Sequence, residues 1–315
     1  MTVASDADQQ SIGRSRHSAP PICIGMPAYN AQEHIRAAID SLLGQTFGDF
    51  ELVIVDNAST DETRDICLGY AEIDPRVRYV RNDKNIGVSK NYNRAFTLSR
   101  SEYFKWASSN DTCGPRSLET CFDVLRRHPD AAVCYPKTKL VYGPNETEDY
   151  EDNLDLQQES AEIRFLACID RLRLNNVLNG LIRSEALHRT KLHGAYLGAD
   201  LNMMAELSLY GKFVEVPEPM LYRAMDKNTA SRYHTANDVI RMYDPGGERS
   251  ALFQSWRFHM DRFAIVQRAP LPAGTKLRLY RRILQMMAWD RRSLFDDMAE
   301  AGWLIRGSNG RESPT

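Results

Sequence analysis

Short apolar runs alternate with longer amphipathic stretches from Pro21 onward. Residues 22–26 are one such run, and residues 32–45 then carry Ile35, Ala38, Ile39, Leu42 and Leu43 at helical spacing. The same alternation predicts strand 51–55, helix 61–73, strand 77–80, helix 87–98 and strand 103–107. Repeated strand–helix units imply an α/β fold with a mostly parallel, doubly wound sheet flanked by helices.

A second tract begins with a helix over 116–127 and a strand over 132–135, followed by an acidic, loop-like excursion over 143–155. Helix 161–174, a segment over 175–183, helix 199–210 and a short strand 213–216 come next. Residues 235–301 read as helices separated at 244–247 and 269–274, both rich in Pro and Gly.

Ligands of such sheets bind beyond the carboxyl ends of the strands, so the segments just after them carry the chemistry. Those segments, 27–30, 56–61, 81–87 and 108–111, are polar and rich in carboxylates and amides. Asp56 ends an apolar strand, where its carboxylate could accept the imide N–H of a uracil or thymine ring or could form a turn or cap. Asp61 suits a plain helix cap, since Asp61 and Glu62 open a helix whose N-terminus favours negative charge. Asn85, Gly87 and then Asn91 and Asn93 start the next helix; Gly87 permits close backbone approach, and a helix N-terminus favours phosphate. The run Phe104 to Asp111 is an apolar strand ending in an amide and a carboxylate. Hard cations such as Mg²⁺ and Mn²⁺ take oxygen ligands, often one or two carboxylates plus substrate phosphates. Asp111 suits that role, or caps the helix that follows.

In order and spacing, these elements resemble the family 2 glycosyltransferases of GT-A fold over residues 21–225. The resemblance implies a GT-A-type, Rossmann-like domain over 21–232, with a nucleotide half at about 21–115 and an acceptor half at about 116–232. Residues 1–20 would be a disordered lead-in, 233–303 a C-terminal helical extension and 304–315 a flexible tail. It implies a sugar nucleotide as donor, UDP- or dTDP-linked, and a hydroxyl of a glycan, glycolipid or small molecule as acceptor. Position by position, Pro27, Tyr29 and Asn30 would shape the loop beside the base and Asp56 would bind the base. Asn85, Gly87, Asn93 and Asn110 would line the donor. Asp111 would hold a divalent cation, Mg²⁺ or Mn²⁺, on the donor diphosphate, and Asp200 would be the base that deprotonates the acceptor. The chain departs from the family pattern in three places: Ala199 stands before Asp200; Ser108, Ser109 and Asn110 thin the acidic motif; and Met225 replaces a His that can complete the metal site. His234 lies too far along to replace it by spacing.

Composition narrows the alternatives. A formal charge of −2 predicts no general attraction to nucleic acid. No apolar run approaches the ~18 residues of a membrane span, and the first twenty residues lack the apolar stretch of a signal peptide. Cytoplasm is therefore the expected compartment. The basic, apolar helix 276–289 suggests either contact with an anionic membrane surface or, better, packing of Leu277, Tyr280, Ile283, Leu284 and Met287 on the rest of the chain. The six cysteines are scattered, which argues against a zinc site or a disulfide framework. A dinucleotide-dependent oxidoreductase would need GxGxxG after the first strand, where this chain has Pro27 and Tyr29. The remaining alternative is a nucleotide-sugar binding protein of the same fold with impaired catalysis. Arg183 reads either as a phosphate or acceptor contact or as a solvent-facing residue, and Trp106 either as a stacking surface for a sugar or base or, more often for a Trp beside a strand, as packed core.

Overall fold

The computed structural model of the chain describes residues 19–225, 242, 243, 245 and 253–308. Its first half alternates strictly: β1 Ile22–Ala28, α1 Ile35–Leu43, β2 Phe50–Asp56, α2 Thr63–Ile73, β3 Val77–Arg81, α3 Val88–Thr97 and β4 Tyr103–Trp106. Every residue of β1 is buried. A strand covered on both faces needs no polar positions, which is why it reads as one apolar run. The second half contributes β5 Thr112–Cys113, α4 Ser117–Arg127, β6 Ala131–Gly143, β7 Glu146–Tyr150, α5 Ala161–Arg171, a 3₁₀ turn Val177–Asn179, β8 Leu181–Arg183, α6 Ser184–His188, α7 Ala199–Ser208 and β9 Lys212–Ala224. Helices α8 Gln254–Arg268, α9 Ala273–Trp289 and α10 Arg291–Ser308 follow.

The strands form one sheet in the order β3-β2-β1-β4-β8-β6-β9-β5, with β7 paired to β6. Strands β3, β2, β1 and β4 are parallel. The mostly parallel character expected of the sheet holds for these four; beyond β4 it is mixed, because β8 runs antiparallel to both β4 and β6 while β9 runs parallel to β6. Side chains of β1 and β2 alternate between two cores. Ile22, Ile24, Met26, Leu52 and Ile54 meet α1, α2 and α4 on one face. Cys23, Val53 and Val55 join α3, α5, α7, α8 and α9 on the other.

Four expectations change. The acidic excursion 143–155 contains β7, an edge strand whose Asp149 meets Lys139, while Glu151 just beyond it meets Lys137. Strand β9 runs on past Val216 to Ala224, and its register with β6 shifts where Pro217 falls. On α9 the buried residues are Leu279 and Ile283, with Tyr280 packed beside them, while Leu277 and Leu284 are exposed. The last helix continues through Ser308, into the tail expected from 304. Residues 1–18, 309–315, His234 and most of the 244–247 separator lie outside the described residues.

Helix α7 is buried almost all round, and α8 is fastened to it. Asn202 accepts from Arg262 at 2.9 Å and donates to the Phe258 carbonyl at 2.8 Å. Buried Glu206 takes a two-pronged ion pair from Arg268 at 2.6 and 2.8 Å. Arg183 donates to the carbonyls of Ala131 and Leu125 and to the Tyr103 hydroxyl, so it ties α4 and β6 to β4 rather than meeting a ligand. Trp106 is fully buried and donates its indole N–H to the Tyr92 carbonyl at 3.0 Å, as the core reading expects.

Candidate active site

A cavity of about 410 Å³ opens at the carboxyl ends of β1 and β4. Pro27 follows from β1, Ser89 and Tyr92 from α3, Ser108 to Asp111 from the turn after β4, and Asp200 from the first turn of α7. The turn into α7 is set by Gly198, whose φ of 80° lies in the left-handed region that favours glycine.

Asp111 is buried. Its Oδ1 accepts the Ala224 N–H at 2.9 Å, and burial raises its pKa against the lowering pull of Arg223, that N–H, Ser108 and Lys105. Lys105, buried on β4, donates to the Asn179 carbonyl, and the Asn179 amide oxygen accepts from both the N–H and the hydroxyl of Ser108 at 3.3 Å. Asp200 is half-buried, and its Oδ2 accepts from the Asn175 amide at 3.1 Å. Arg223 lines the same wall and donates to Asn176 at 2.7 Å, which in turn donates to Asp152 at 3.0 Å.

Two carboxylates line one cavity at strand ends, and comparison with known proteins gives that arrangement a family. The sequence model described as "Glycosyl transferase family 2" matches residues 23–176. Over these residues, just under half of its length, the chain matches glycosyl transferase family 2. It is 35% identical over 43% of its length to a chondroitin synthase of Escherichia coli, 18% of which is covered. It is 34% identical over 34% of its length to a putative teichuronic acid biosynthesis glycosyltransferase, TuaG, of Bacillus subtilis, 42% of which is covered. The chain spans less than half the length of each of these curated relatives. Among solved structures, residues 1–349 of S. aureus TarS in complex with UDP align with a TM-score of 0.61 at 17% identity, over 84% of this chain and 71% of that one. The mannosyltransferase PcManGT from Pyrobaculum calidifontis, in complex with GDP-Man and Mn²⁺, aligns with a TM-score of 0.55 at 16% identity, over 93% and 80%. Both likenesses establish the fold, a GT-A type.

Against this family frame, Pro27, Asn110, Asp111 and Asp200 share the cavity wall. Tyr29, Asn30, Asp56, Asn85, Gly87 and Asn93 do not line it, and most hold loops together instead. Asn30 accepts the Thr60 N–H at 2.8 Å, tying the loop after β1 to the loop after β2. Asn85 accepts from Asn57 and from the Gly87 N–H, and Asn57 continues to Asn82 and Asn91, a ladder of amides that fixes the entry to α3. The close approach expected at Gly87 (φ 85°) is made by this chain's own Tyr243, since a Cβ there would lie 2.2 Å from its carbonyl oxygen. Asn93 spends both ends of its amide on the backbone of His193. Asp61 does cap α2, accepting the Thr63 N–H at 3.0 Å. Tyr29 is exposed.

Asp56 is fully buried and accepts from the Ser59 N–H at 2.8 Å on Oδ1, and from the Tyr79 hydroxyl and Arg81 at 2.5 Å each on Oδ2. Burial and then the Asp56 charge keep the Tyr79 phenol protonated. The sequence reading missed Arg81, although β2 and β3 pair Asp56 directly with it. It also missed Asn175, His193 and Arg223, for which no local pattern stood out.

For a divalent ion, the donor set is one carboxylate. Among the described residues there is no group of three or more His, Cys, Asp or Glu able to hold a metal. Asp111 keeps lone pairs beyond its bond to Ala224, which suits the mode in which one carboxylate, water and substrate phosphates hold the ion, and not a preformed all-protein cage.

Proposed function

We propose that this chain is an inverting glycosyltransferase that moves a sugar from a nucleotide-sugar donor, uridine- or thymidine-linked, to a hydroxyl of a glycan, lipid-linked or small-molecule acceptor. The observation that carries the reading is the single cavity lined by both Asp111, from the turn after β4, and Asp200, from the first turn of α7. The UDP of the TarS complex and the polysaccharide-forming names of the relatives support a uridine donor and a glycan acceptor.

In this reaction the acceptor oxygen attacks the anomeric carbon as the bond to the diphosphate breaks, and the bonding pair leaves on the diphosphate oxygen. Asp200 takes the hydroxyl proton, held for it by Asn175. Attack opposite the leaving group inverts the anomeric centre. Asp111, with Asn110 beside it, would hold a Mg²⁺ or Mn²⁺ ion, which when bound offsets the charge of the diphosphate. Arg223 adds a fixed positive charge on the same wall. Asp56, buried and engaged by Ser59, Tyr79 and Arg81, would order the loop beside the base rather than touch the base itself. No helix among the described residues is long and apolar enough to cross a membrane. We place the enzyme in the cytoplasm, with exposed Leu277, Leu284 and Trp289 available for peripheral contact with the inner membrane face.

The test is a thermal-shift series with nucleoside diphosphates and sugar nucleotides, with and without Mn²⁺, on wild type and Asp111→Ala, because ligands that bind only the folded state raise its stability. A Mn²⁺-dependent shift with a uridine or thymidine diphosphate that is lost in the variant supports the reading. No shift with any nucleotide at millimolar concentration refutes it. Binding with no donor cleavage favours the impaired binding protein.

A further inference from the structure

Among the cavity's side chains to which the transfer reaction gives no role is a buried histidine. His193 lies between α6 and α7 and lines the cavity with Asp200, Asn175 and Tyr92. It follows Leu192, whose φ of 59° is a conformation that side-chain-bearing residues adopt only when their surroundings impose it. Asn93 of α3 fixes its backbone, accepting the His193 N–H at 3.0 Å and donating to its carbonyl at 2.9 Å. Tyr92 and Trp106 fix its ring, each with centroids 5.3 Å away, the indole at 89°.

A residue held this firmly and 9% exposed would be expected to satisfy its polar atoms, yet Nε2 has no hydrogen-bond partner. Asn175, which holds Asp200, carries a second unpaired atom, Oδ1. Buried polar atoms are nearly always paired. Two orphans in the wall of one cavity, beside one carboxylate, mark positions that a ligand completes. Burial pushes the His193 imidazole down to about 4 against the upward pull of Asp200, so it is uncharged at neutral pH. A neutral imidazole offers one donor and one acceptor, as a sugar hydroxyl does.

We propose that His193 is an acceptor-binding residue whose imidazole hydrogen-bonds a sugar hydroxyl beside Asp200. The proposal rests on the transferase reading and names the part of the site that takes the acceptor. The proton released by the attacking hydroxyl goes to Asp200; His193 keeps its own and fixes the direction of the acceptor.

His193→Phe keeps an aromatic ring between Tyr92 and Trp106 and the backbone clamp but removes both nitrogens, and His193→Gln restores a hydrogen-bonding end. Steady-state kinetics would use UDP-glucose, UDP-N-acetylglucosamine and GDP-mannose as donors, with methyl glycosides of glucose, N-acetylglucosamine and glucuronic acid as acceptors. His193→Phe is expected to raise acceptor KM about tenfold, the worth of one good hydrogen bond, with donor KM within about twofold and His193→Gln recovering much of the loss. Its Tm should equal or exceed that of wild type, because an unpaired buried polar atom is gone. An unchanged acceptor KM overturns the proposal, as does a loss that tracks a fall in Tm and a rise in donor KM. A wild type that cleaves donor yet neither uses nor binds any of these glycosides overturns it too. A wild type that neither binds nor cleaves any donor overturns the transferase reading, and this proposal with it.

Discussion

Replacing Asp56 with Asn changes one atom and should cost as much as removing the side chain. Every partner of the buried carboxylate is a donor: the Ser59 N–H on Oδ1, and Tyr79 and Arg81 on Oδ2. An amide has one acceptor end and one donor end, so either orientation sets hydrogens against hydrogens. Tyr79 can rotate its hydroxyl to accept; Arg81 and the Ser59 N–H cannot. Losing one hydrogen bond to a buried charge costs about 1.5–3 kcal/mol, and leaving its partner unpaired adds about 1–3 kcal/mol. Arg81 is 34% exposed and recovers water on that side, which holds the total to about 2–4 kcal/mol. Urea denaturation of wild type, Asp56→Asn, Arg81→Ala and the double variant reads this as a shift in midpoint at constant slope. A coupling of about 1–3 kcal/mol between the two positions is expected. Asp56→Asn within about 0.5 kcal/mol of wild type, or additive single changes, would refute the reasoning.

Three further outcomes follow from the site and its supports. Asp200→Asn should lower kcat by about 10²–10⁴ and leave nucleotide affinity in place; full turnover in the variant would remove Asp200 from the reaction. Burial raises the Asp152 carboxyl to about 7 against hydrogen bonds from Asn176 and Thr138. The folded chain then holds a proton that the unfolded chain releases near its ordinary value of about 4, so Asp152 makes stability fall as pH rises from about 4 to 7. Asp152→Asn should therefore show a smaller drop in Tm between about pH 5 and about pH 8, and equal drops would show the carboxyl titrates elsewhere. Arg268→Ala leaves Glu206 buried without its partner and should cost about 3–5 kcal/mol in chemical denaturation, while a cost under about 1 kcal/mol would mean that water replaces the guanidinium.

The first half of the fold was legible because its strands are covered on both faces and its helices on one, so burial alone dictates the pattern. The hairpin strand β7 was not, since Glu146–Tyr150 is an exposed edge whose Asp149 is matched by Lys139 on β6 rather than by a core. Strand β9 looked finished at Val216 because Pro217 cannot donate to a ladder; the register shift steps past it. At the cavity, Asp111 was placed by its strand end and Asp200 by the family resemblance, and both line it. Asn85 and Asn93 carried the right residue type in the right place, but an asparagine after a strand can hold a loop as readily as a ligand. Only its partners decide which, and here they are Gly87, Asn57 and the backbone of His193. His193 itself had no signature, because its role comes from a pocket assembled by α3, β4 and α7.

Strands β1 and β4 lie side by side, yet the chain leaves them in opposite directions along the sheet. After β1 it turns through α1 to β2 on one side, whereas after β4 it passes through β5 and α4 to β6 on the other. Two neighbouring loops that part in this way cannot fill the space between them, so a crevice is an obligation of the chain path. Its location was settled before any reactive side chain was chosen. The vessel is thus separable from its contents: exchanges at 175 and 193 would change what the crevice holds without asking the scaffold to find a new place for it.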